Sequence, residues 1–231
     1  SVSAFLLNRS SDLEIDKNCF TITMTGRQYN SVVQGTMEDL NSKRSKNGLD
    51  AIVLDNNLTV YAQDRAAEVM LFADENDELR PDGTTVESGM PNNSVNYVTF
   101  SFLLSYSSRR DLTNELSALS ESEFSEVQSM GLALFGKNNV YVAYVIISDA
   151  ESNSPFTEYQ GQPYKKSIKM LESHVSDCAF DLIAENNVGT MNLKMYFLGS
   201  GAYNQALVIP NSQLTYTSSN SKVFKIKNYI S

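Results

Sequence analysis

Two apolar stripes at helical spacing, separated by a glycine, occupy residues 31–73 of the chain. In the first stripe, Val33, Met37 and Leu40 lie four and three residues apart, so they share one face of a helix. Gly48 suits the left-handed position that follows a helix C-terminus. Asp55 precedes the second stripe and is a preferred N-cap residue. The second stripe comprises Leu58, Ala62, Ala66, Val69 and either Phe72 or Ala73. The pattern predicts two helices that each bury one face.

A turn of sequence Leu-Arg-Pro-Asp-Gly-Thr-Thr follows at residues 79–85. With the two stripes it resembles the start of the CAP superfamily (the SCP-like extracellular domain), especially its bacterial members. The matching residues are Leu40, Asn41, Arg44, Gly48, Leu49, Leu54, Asp55, Leu58, Ala62, Arg65, Ala66, Glu68 and the turn Arg80–Gly83. Met130–Ala133 also resembles the family's glycine-containing strand. The resemblance covers residues 31–148 and implies an α+β fold, an α-β-α sandwich with helices on both faces of an antiparallel sheet.

Members of that family are often described by a cavity built around two histidines and two acidic residues. Here Glu78 stands two residues before the Arg-Pro-Asp-Gly turn, where bacterial members commonly have a histidine, and Val95 falls at the acidic position of the next segment. The second histidine position falls on Glu123, or on Arg109 in an alternative register. The single histidine, His174, lies outside the matching region, and we expect it at a surface or domain boundary. Zinc in such a cavity needs imidazole ligands, and a general base near neutral pH is usually a histidine. We therefore expect no metal site, no cofactor and no enzymatic activity.

The resemblance favours a secreted or cell-surface bacterial protein that acts as a non-enzymatic binding module. Its ligand would be an unknown protein, carbohydrate or lipid. Two alternatives remain open. Glu78 and Glu123 carry the oxygen ligands that Ca²⁺ and Mg²⁺ prefer, which would suit a hydrolase or metal-dependent enzyme with a rearranged acidic cavity. An apolar groove beside the sandwich would instead suit a lipid- or sterol-binding protein.

Several β-rich segments are predicted in the first two thirds of the chain. Cys19–Met24 alternates apolar and polar residues, as a half-buried strand does. Val95–Tyr106 is apolar and aromatic and is also predicted as a strand, followed by a short helix at Asp111–Leu119. Met130–Phe135 and Val140–Ile147 flank a Gly-Lys-Asn-Asn turn, which is typical of an antiparallel hairpin.

The last third of the sequence differs in composition and pattern, and this difference predicts a second domain. Residues 149–164 are rich in Ser, Asn, Pro, Gly and Gln and are predicted as a linker. Short strands follow at Cys178–Ile183, Thr190–Leu198, Ala206–Ile209, Leu214–Thr217 and Lys222–Lys227. The segment Leu214–Ile226 resembles the end of bacterial Ig-like group 2 domains, with Tyr216 where tryptophan is usual, and Val188–Thr190 with Leu193 matches an earlier segment of that family. The predicted division is therefore a strand-containing extension at 1–30, a CAP-like domain at 31–148, a linker at 149–164 and a small all-β Ig-like sandwich at 165–231.

Composition excludes some classes of partner. The net charge is −9 and no basic stripe interrupts it along the sequence, so we expect no nucleic-acid partner, because phosphate neutralisation needs clustered Lys and Arg. No apolar run approaches the roughly 20 residues of a membrane span. Cys19 and Cys178 are too far apart in sequence for a metal motif and are either two buried thiols or a bridge between the two ends of the chain.

Overall fold

A computed structural model describes residues 2–6, 19–73, 78–91, 97–152, 154–156, 163–185, 188–197, 207–209 and 214–218. The fold is a mixture of helices and antiparallel sheet, as the predicted α+β class requires. In chain order the elements are β1 Val2–Leu6, β2 Cys19–Gln28, α1 Asn30–Lys46, β3 Val53–Leu54, α2 Asn56–Leu71, β4 Tyr97–Leu104, α3 Arg109–Glu115, β5 Ser129–Lys137, β6 Val140–Ser148, β7 Pro163–Leu171, β8 Val175–Glu185, β9 Val188–Phe197, β10 Leu207–Ile209 and β11 Leu214–Ser218.

The ends of the first two helices follow the predicted local chemistry. Gly48 has a φ of 73° just after the C-terminus of α1, a conformation that glycine adopts without the steric cost of a Cβ. The side chain of Asp55 accepts a hydrogen bond of 2.9 Å from the backbone N–H of Leu58 and so caps α2. The helix predicted at 111–119 instead spans Arg109–Glu115 in the structure. It begins at Arg109 because the side chain of Ser108 supplies the N-cap. A separate 3₁₀ turn covers Ser117–Ser120.

The main sheet of the described residues has the order β4-β6-β5-β2-β7, and β3 pairs in parallel with β5. The predicted hairpin is present as β5 and β6, paired from Ser129 opposite Ser148 to Lys137 opposite Val140. The two residues between the strands, Asn138 and Asn139, have φ values of 50° and 62°. Two positive φ angles characterise the turn whose twist matches that of the adjoining strands.

Helices cover both faces of this sheet. On one face α2 packs with alternate residues of β5 and β6, forming a cluster that includes Ala62, Ala66, Val69, Ala133, Phe135, Val142, Tyr144 and Ile146. On the other face α1 and α3 pack with the intervening residues, including Val33, Leu40, Leu112, Leu132, Leu134, Ala143 and Val145. We call these clusters the α2-face core and the α1-face core. All the core residues predicted from periodicity are buried, and both Tyr144 and Val145 are fully enclosed. Each buried Leu or Val contributes roughly 2 kcal/mol to folding.

Gly131 of β5 allows α2 to lie against the sheet. A Cβ at this position would stand 2.4 Å from the backbone carbon and oxygen of Leu58, in the first turn of α2. Backbone atoms cannot yield as the end of a flexible side chain can. The glycine in the predicted Met-Gly-Leu-Ala strand is therefore explained by close packing of a helix on a strand.

The main sheet crosses the predicted boundaries. Strand β2 comes from the predicted N-terminal extension, and β7 begins within the predicted linker and continues beyond it. The two strands pair over Cys19–Arg27 and Pro163–Leu171. The residues that form this sheet therefore extend across the predicted divisions at residue 30 and at 149–164. The exposed lysines Lys165 and Lys169 give β7 its polar character, while Ile168 and Met170 between and beside them are buried.

Part of the predicted linker also packs against the start of α2. The backbone N–H of Asn56 donates to the carbonyl of Ser154 at 2.7 Å, and that of Phe156 donates to the carbonyl of Leu54 at 2.8 Å. The hydroxyl of Ser152 donates to the second carboxylate oxygen of Asp55 at 2.8 Å. These described residues of the segment are thus tied to the helical unit.

The remaining described strands form two smaller sheets. Strands β8, β9 and β10 pair in the order β10-β9-β8, and β1 pairs with β11. Leu193, Met195 and Phe197 of β9 are buried within the α2-face core, so this strand shares the core of the helical unit. The predicted strand at Lys222–Lys227 lies outside the described residues.

The two cysteines are not joined by a disulfide in the structure. Cys19 is buried in β2, as predicted for a structural thiol, whereas Cys178 is exposed in β8. Partial desolvation of its sulfur and the nearby Asp177 raise the pKa of Cys178. Over the described ranges, the structure contains no helix of the length and apolar character needed to cross a membrane.

Candidate functional site

The predicted cavity residues lie in separate parts of the fold. Glu78 is exposed just before the Arg-Pro-Asp-Gly turn, and its carbonyl accepts a hydrogen bond from Val86 at 2.9 Å. Glu123 is exposed on the 3₁₀ turn Ser122–Phe124. Arg109 is the first residue of α3. Val95 lies outside the described residues.

The elements that carry these residues pack on opposite faces of the main sheet. Leu79, next to Glu78, packs against the α2-face core. Phe124, next to Glu123, packs against the α1-face core, and Arg109 pairs with side chains of α1. Glu78 is therefore placed with α2, whereas Glu123 and Arg109 are placed with α1.

A buried charge network joins α2 to the Arg-Pro-Asp-Gly turn. The carboxylate of Glu68, with 4% of its side chain exposed, accepts a hydrogen bond of 2.7 Å from the fully buried Arg65. Arg80 donates to both oxygens of the same carboxylate, at 2.7 and 3.2 Å. These contacts satisfy the charge of Glu68 within the scaffold, and the bidentate geometry makes the link directional.

Aromatic rings line this network. Arg65 lies over the ring of Tyr144 at 5.3 Å, and Arg80 lies over the ring of Tyr61 at 5.8 Å. The hydroxyl of Tyr61 donates to the carbonyl of Val86 at 2.6 Å, and burial raises the pKa of that hydroxyl. The side chains therefore serve to hold α2, the turn and the sheet together.

The single histidine contacts the same turn, which the sequence did not indicate. The Nδ1 atom of His174 lies 2.9 Å from the carbonyl oxygen of Pro81, and its ring stacks on Phe72 with 4.0 Å between centroids. Because a carbonyl only accepts hydrogen bonds, this contact requires a proton on Nδ1. The backbone N–H of Leu171 donates to the same carbonyl at 2.9 Å. His174 thus anchors the segment after β7 to the turn, and it is half-buried there.

Two residues of the family resemblance organise the connection after α1. Asn41 bonds the carbonyl and the N–H of Ile52 through its side chain, both at 2.9 Å. The fully buried Arg44 donates to the carbonyls of Asp50, Leu119, Phe124 and Val127. Both residues act as scaffold, because their donors are used by backbone carbonyls of the chain itself.

Asp64 forms another internal link, between α2 and β7. The hydroxyl of Tyr164 donates to Asp64 at 2.8 Å, and Lys166 forms an ion pair with the same carboxylate. Burial raises the pKa of Tyr164 and lowers that of Lys166. This cluster also secures the sheet to the helix.

An open groove lies between α1 and α3 on the other face of the molecule. It has a volume of about 520 Å³ and is lined by Asp39, Ser42, Lys43, Lys46, Arg109, Arg110, Thr113 and Asn114. Four of these side chains are basic and one is acidic. The structure thus brings together two short basic segments that are about 60 residues apart in a chain of net charge −9.

Arg109 is held rigidly at this groove. Its guanidinium donates to both carboxylate oxygens of Asp39, at 2.6 and 2.5 Å, and to Glu38 at 3.4 Å. The hydrogen bond from Arg109 is the main reason that the pKa of Asp39 is held below its usual value. Gly35 lets the side chain lie across α1, since a Cβ there would meet the Arg109 Cδ at 2.7 Å.

A second, smaller groove lies on the β4 side of α3. Its volume is about 300 Å³, and its lining includes Leu103, Tyr106, Asp111, Asn114 and Glu115. Tyr106 is 70% exposed and Leu103 is 47% exposed. Asn114 lines both grooves, so the two lie side by side at α3.

No protein-family model, curated protein or solved structure matches this chain. Among the residues that the structure describes, no three His, Cys, Asp or Glu side chains come together as a metal-binding group.

Proposed function

We propose that this chain is a binding module built on a CAP-like scaffold, and that it acts at the bacterial cell surface without catalysing a reaction. The ligand-binding surface is formed by α1, α3 and β4. The Ig-like character of the C-terminal strands belongs to the same proposal.

Three local arrangements support the CAP-like part of the proposal. Helices lie on both faces of an antiparallel sheet. Arg80 of the Arg-Pro-Asp-Gly turn binds Glu68 of α2, and Gly131 brings β5 against α2. These contacts use residues that carry the sequence resemblance.

The observation that carries the binding role is the pair of neighbouring open grooves at α3. Their linings combine charged groups, a hydroxyl, an amide and the exposed ring of Tyr106 on one surface. Aromatic side chains and arginine are enriched where proteins bind partners. The charged groups on the α2 face, in contrast, bond with one another and with the scaffold.

Co-sedimentation of the full chain with purified bacterial cell-wall sacculi tests the proposal. We expect the chain to sediment with the sacculi and the double variant Leu103→Ser/Tyr106→Ser to remain largely in solution. Val60→Ser is the matched control, because Val60 on α2 is also 47% exposed but faces away from α3. A chain that stays in the supernatant overturns the binding role, and release of soluble fragments from the sacculi overturns the non-enzymatic role.

A further inference from the structure

The basic side chains of the α1–α3 groove do not all have a structural explanation. Lys43 and Lys46 lie in the last turn of α1, where the negative end of the helix dipole favours cations. Arg110 lies in the first turn of α3, where the positive end disfavours them. Arg109 shares that turn, but Asp39 and Glu38 compensate its charge.

The helix dipole thus accounts for Lys43 and Lys46 but not for Arg110. Among the ion pairs of the described residues, none involves Lys43, Lys46 or Arg110. All three line one groove, together with the paired Arg109. Like charges that converge on one surface repel each other, and a bound anion relieves that repulsion.

We propose that this groove binds the acidic units of an anionic glycan, a polysaccharide that carries carboxylate or sulfate groups. This inference rests on the proposed binding function and names the ligand class of that surface. Carboxylate or sulfate oxygens accept hydrogen bonds from Lys43, Lys46 and Arg110, while the fixed guanidinium of Arg109 adds positive potential beside them.

The second groove favours a glycan over other polyanions. The exposed ring of Tyr106 offers an apolar face to the C–H side of a sugar ring. Asn114, Asp111 and Glu115 supply the amide and carboxylate groups that bond sugar hydroxyls. A nucleic acid carries one negative charge at each nucleotide, and a strongly acidic peptide carries negative charges at a similar spacing along its chain. Either would place negative charge against Asp111 and Glu115, whereas a glycan can place an uncharged sugar there.

The open shape of the two grooves also suits a polymeric ligand. They are neighbours that share Asn114 in their linings. A chain of sugars laid across Asn114 can therefore contact both the basic groove and the Tyr106 groove.

Isothermal titration calorimetry on the full 231-residue chain tests the proposal with four probes. The first, a heparin-derived hexasaccharide, carries sulfates as well as carboxylates, and the second, a polygalacturonate hexamer, carries carboxylates alone, so comparison of the two shows whether sulfate is required. Maltohexaose is the neutral glycan, and poly-L-glutamate is the polyanion without sugars. We expect binding of at least one acidic glycan, much weaker binding of maltohexaose and poly-L-glutamate, and loss of affinity at high salt.

A pair of charge-matched variants localises the site. Lys46→Gln/Arg110→Gln removes two exposed charges from the groove and should weaken binding of the acidic glycan about tenfold, the effect of two exposed ion pairs. Lys165→Gln/Lys169→Gln removes two exposed charges from β7 at the far edge of the main sheet and should change the affinity less than twofold. Tyr106→Ala should weaken binding without altering its salt dependence.

Equal weakening by both double variants, or equal binding of poly-L-glutamate, overturns the glycan proposal. Sacculus binding that survives Lys46→Gln/Arg110→Gln and is lost in Leu103→Ser/Tyr106→Ser overturns it as well, but leaves the binding-module function intact. Absence of sacculus binding in the unaltered chain overturns the broader function instead. The two proposals therefore fail in distinguishable ways.

Discussion

Arg80 binds Glu68 through both carboxylate oxygens, and this contact fastens the Arg-Pro-Asp-Gly turn to α2. The same carboxylate neutralises Arg65, whose side chain is completely buried. One glutamate therefore links two arginines, one in α2 and one in the turn. Because both partners are charged, these hydrogen bonds are of the stronger, charge-assisted kind.

Replacing Glu68 with glutamine should destabilise the protein severely. The substitution removes one charged partner of the buried Arg65, and breaking a buried ion pair in this way costs about 3–5 kcal/mol. The free energy of unfolding measured in urea would show this loss. The control is Glu121→Gln, which removes an exposed carboxylate and should leave the urea midpoint nearly unchanged. Equal losses of stability in the two variants would contradict the structural role of Glu68.

Gly131→Ala should separate α2 from the sheet. The new methyl group would collide with the backbone of Leu58 at 2.4 Å, so we expect a loss of about 3 kcal/mol from overpacking. Gly48→Ala is the comparison, because nothing lies within 4 Å of a Cβ there and only the φ of 73° opposes it. That conformational cost is about 1 kcal/mol. A Gly48 substitution more damaging than the Gly131 one would argue against the close contact.

Asn139→Gly should stabilise the β5–β6 hairpin. Asn139 has a φ of 62°, and glycine at the second turn position is preferred because it reaches positive φ without strain. We expect a small gain in thermal or urea stability, because the strain that glycine relieves in the turn is partly offset by the greater freedom it gives the unfolded chain. Asn139→Val at the same position should destabilise, since a β-branched residue opposes that conformation. A stabilising valine would show that the turn adopts another form.

The stability contributed by Asp82 should depend on pH. Burial raises the pKa of Asp82, but hydrogen bonds from the hydroxyl and backbone N–H of Thr84, at 2.6 and 3.0 Å, outweigh it and hold the pKa below its usual value. A lowered pKa in the folded state means that this stability is complete above the unfolded pKa of about 3.9 and is lost as pH falls through the folded value. Thr84→Val removes the hydroxyl donor and should therefore destabilise the protein at pH 7 but much less below pH 3. Thr85→Val, one residue away, is the control for a general effect of replacing threonine with valine. A loss of stability in Thr84→Val that does not change with pH would exclude the role of the Asp82 carboxylate.

Much of the helical unit follows from local sequence. The caps at Asp55 and Gly48, the apolar stripes of α1 and α2, and the hairpin at Asn138–Asn139 all match their predicted positions. These features depend on contacts between residues close in the chain, which is why periodicity and turn chemistry are sufficient to find them.

The extent of the main sheet was decided by tertiary structure. Strand β7 looks polar because Lys165 and Lys169 face outward, and only pairing with β2 establishes that Ile168 and Met170 enter a core formed by a distant part of the chain. Alternation over so short a segment does not identify the partner strand, since residues 19–28 and 163–171 meet only after folding.

For the candidate sites, too, some features follow from the sequence and others from the tertiary structure. The sequence alone shows that the positions matched to the family's two histidines, Glu78 and either Glu123 or Arg109, are not histidines, because residue identity does not depend on the fold. The contact of His174 with Pro81, and the convergence of Lys46 with Arg110 on one groove, arise from packing between segments far apart in sequence. The sequence thus determined which charged groups the chain has, and the fold alone decided which of them face one another, because the distances that govern electrostatic interaction exist only in three dimensions.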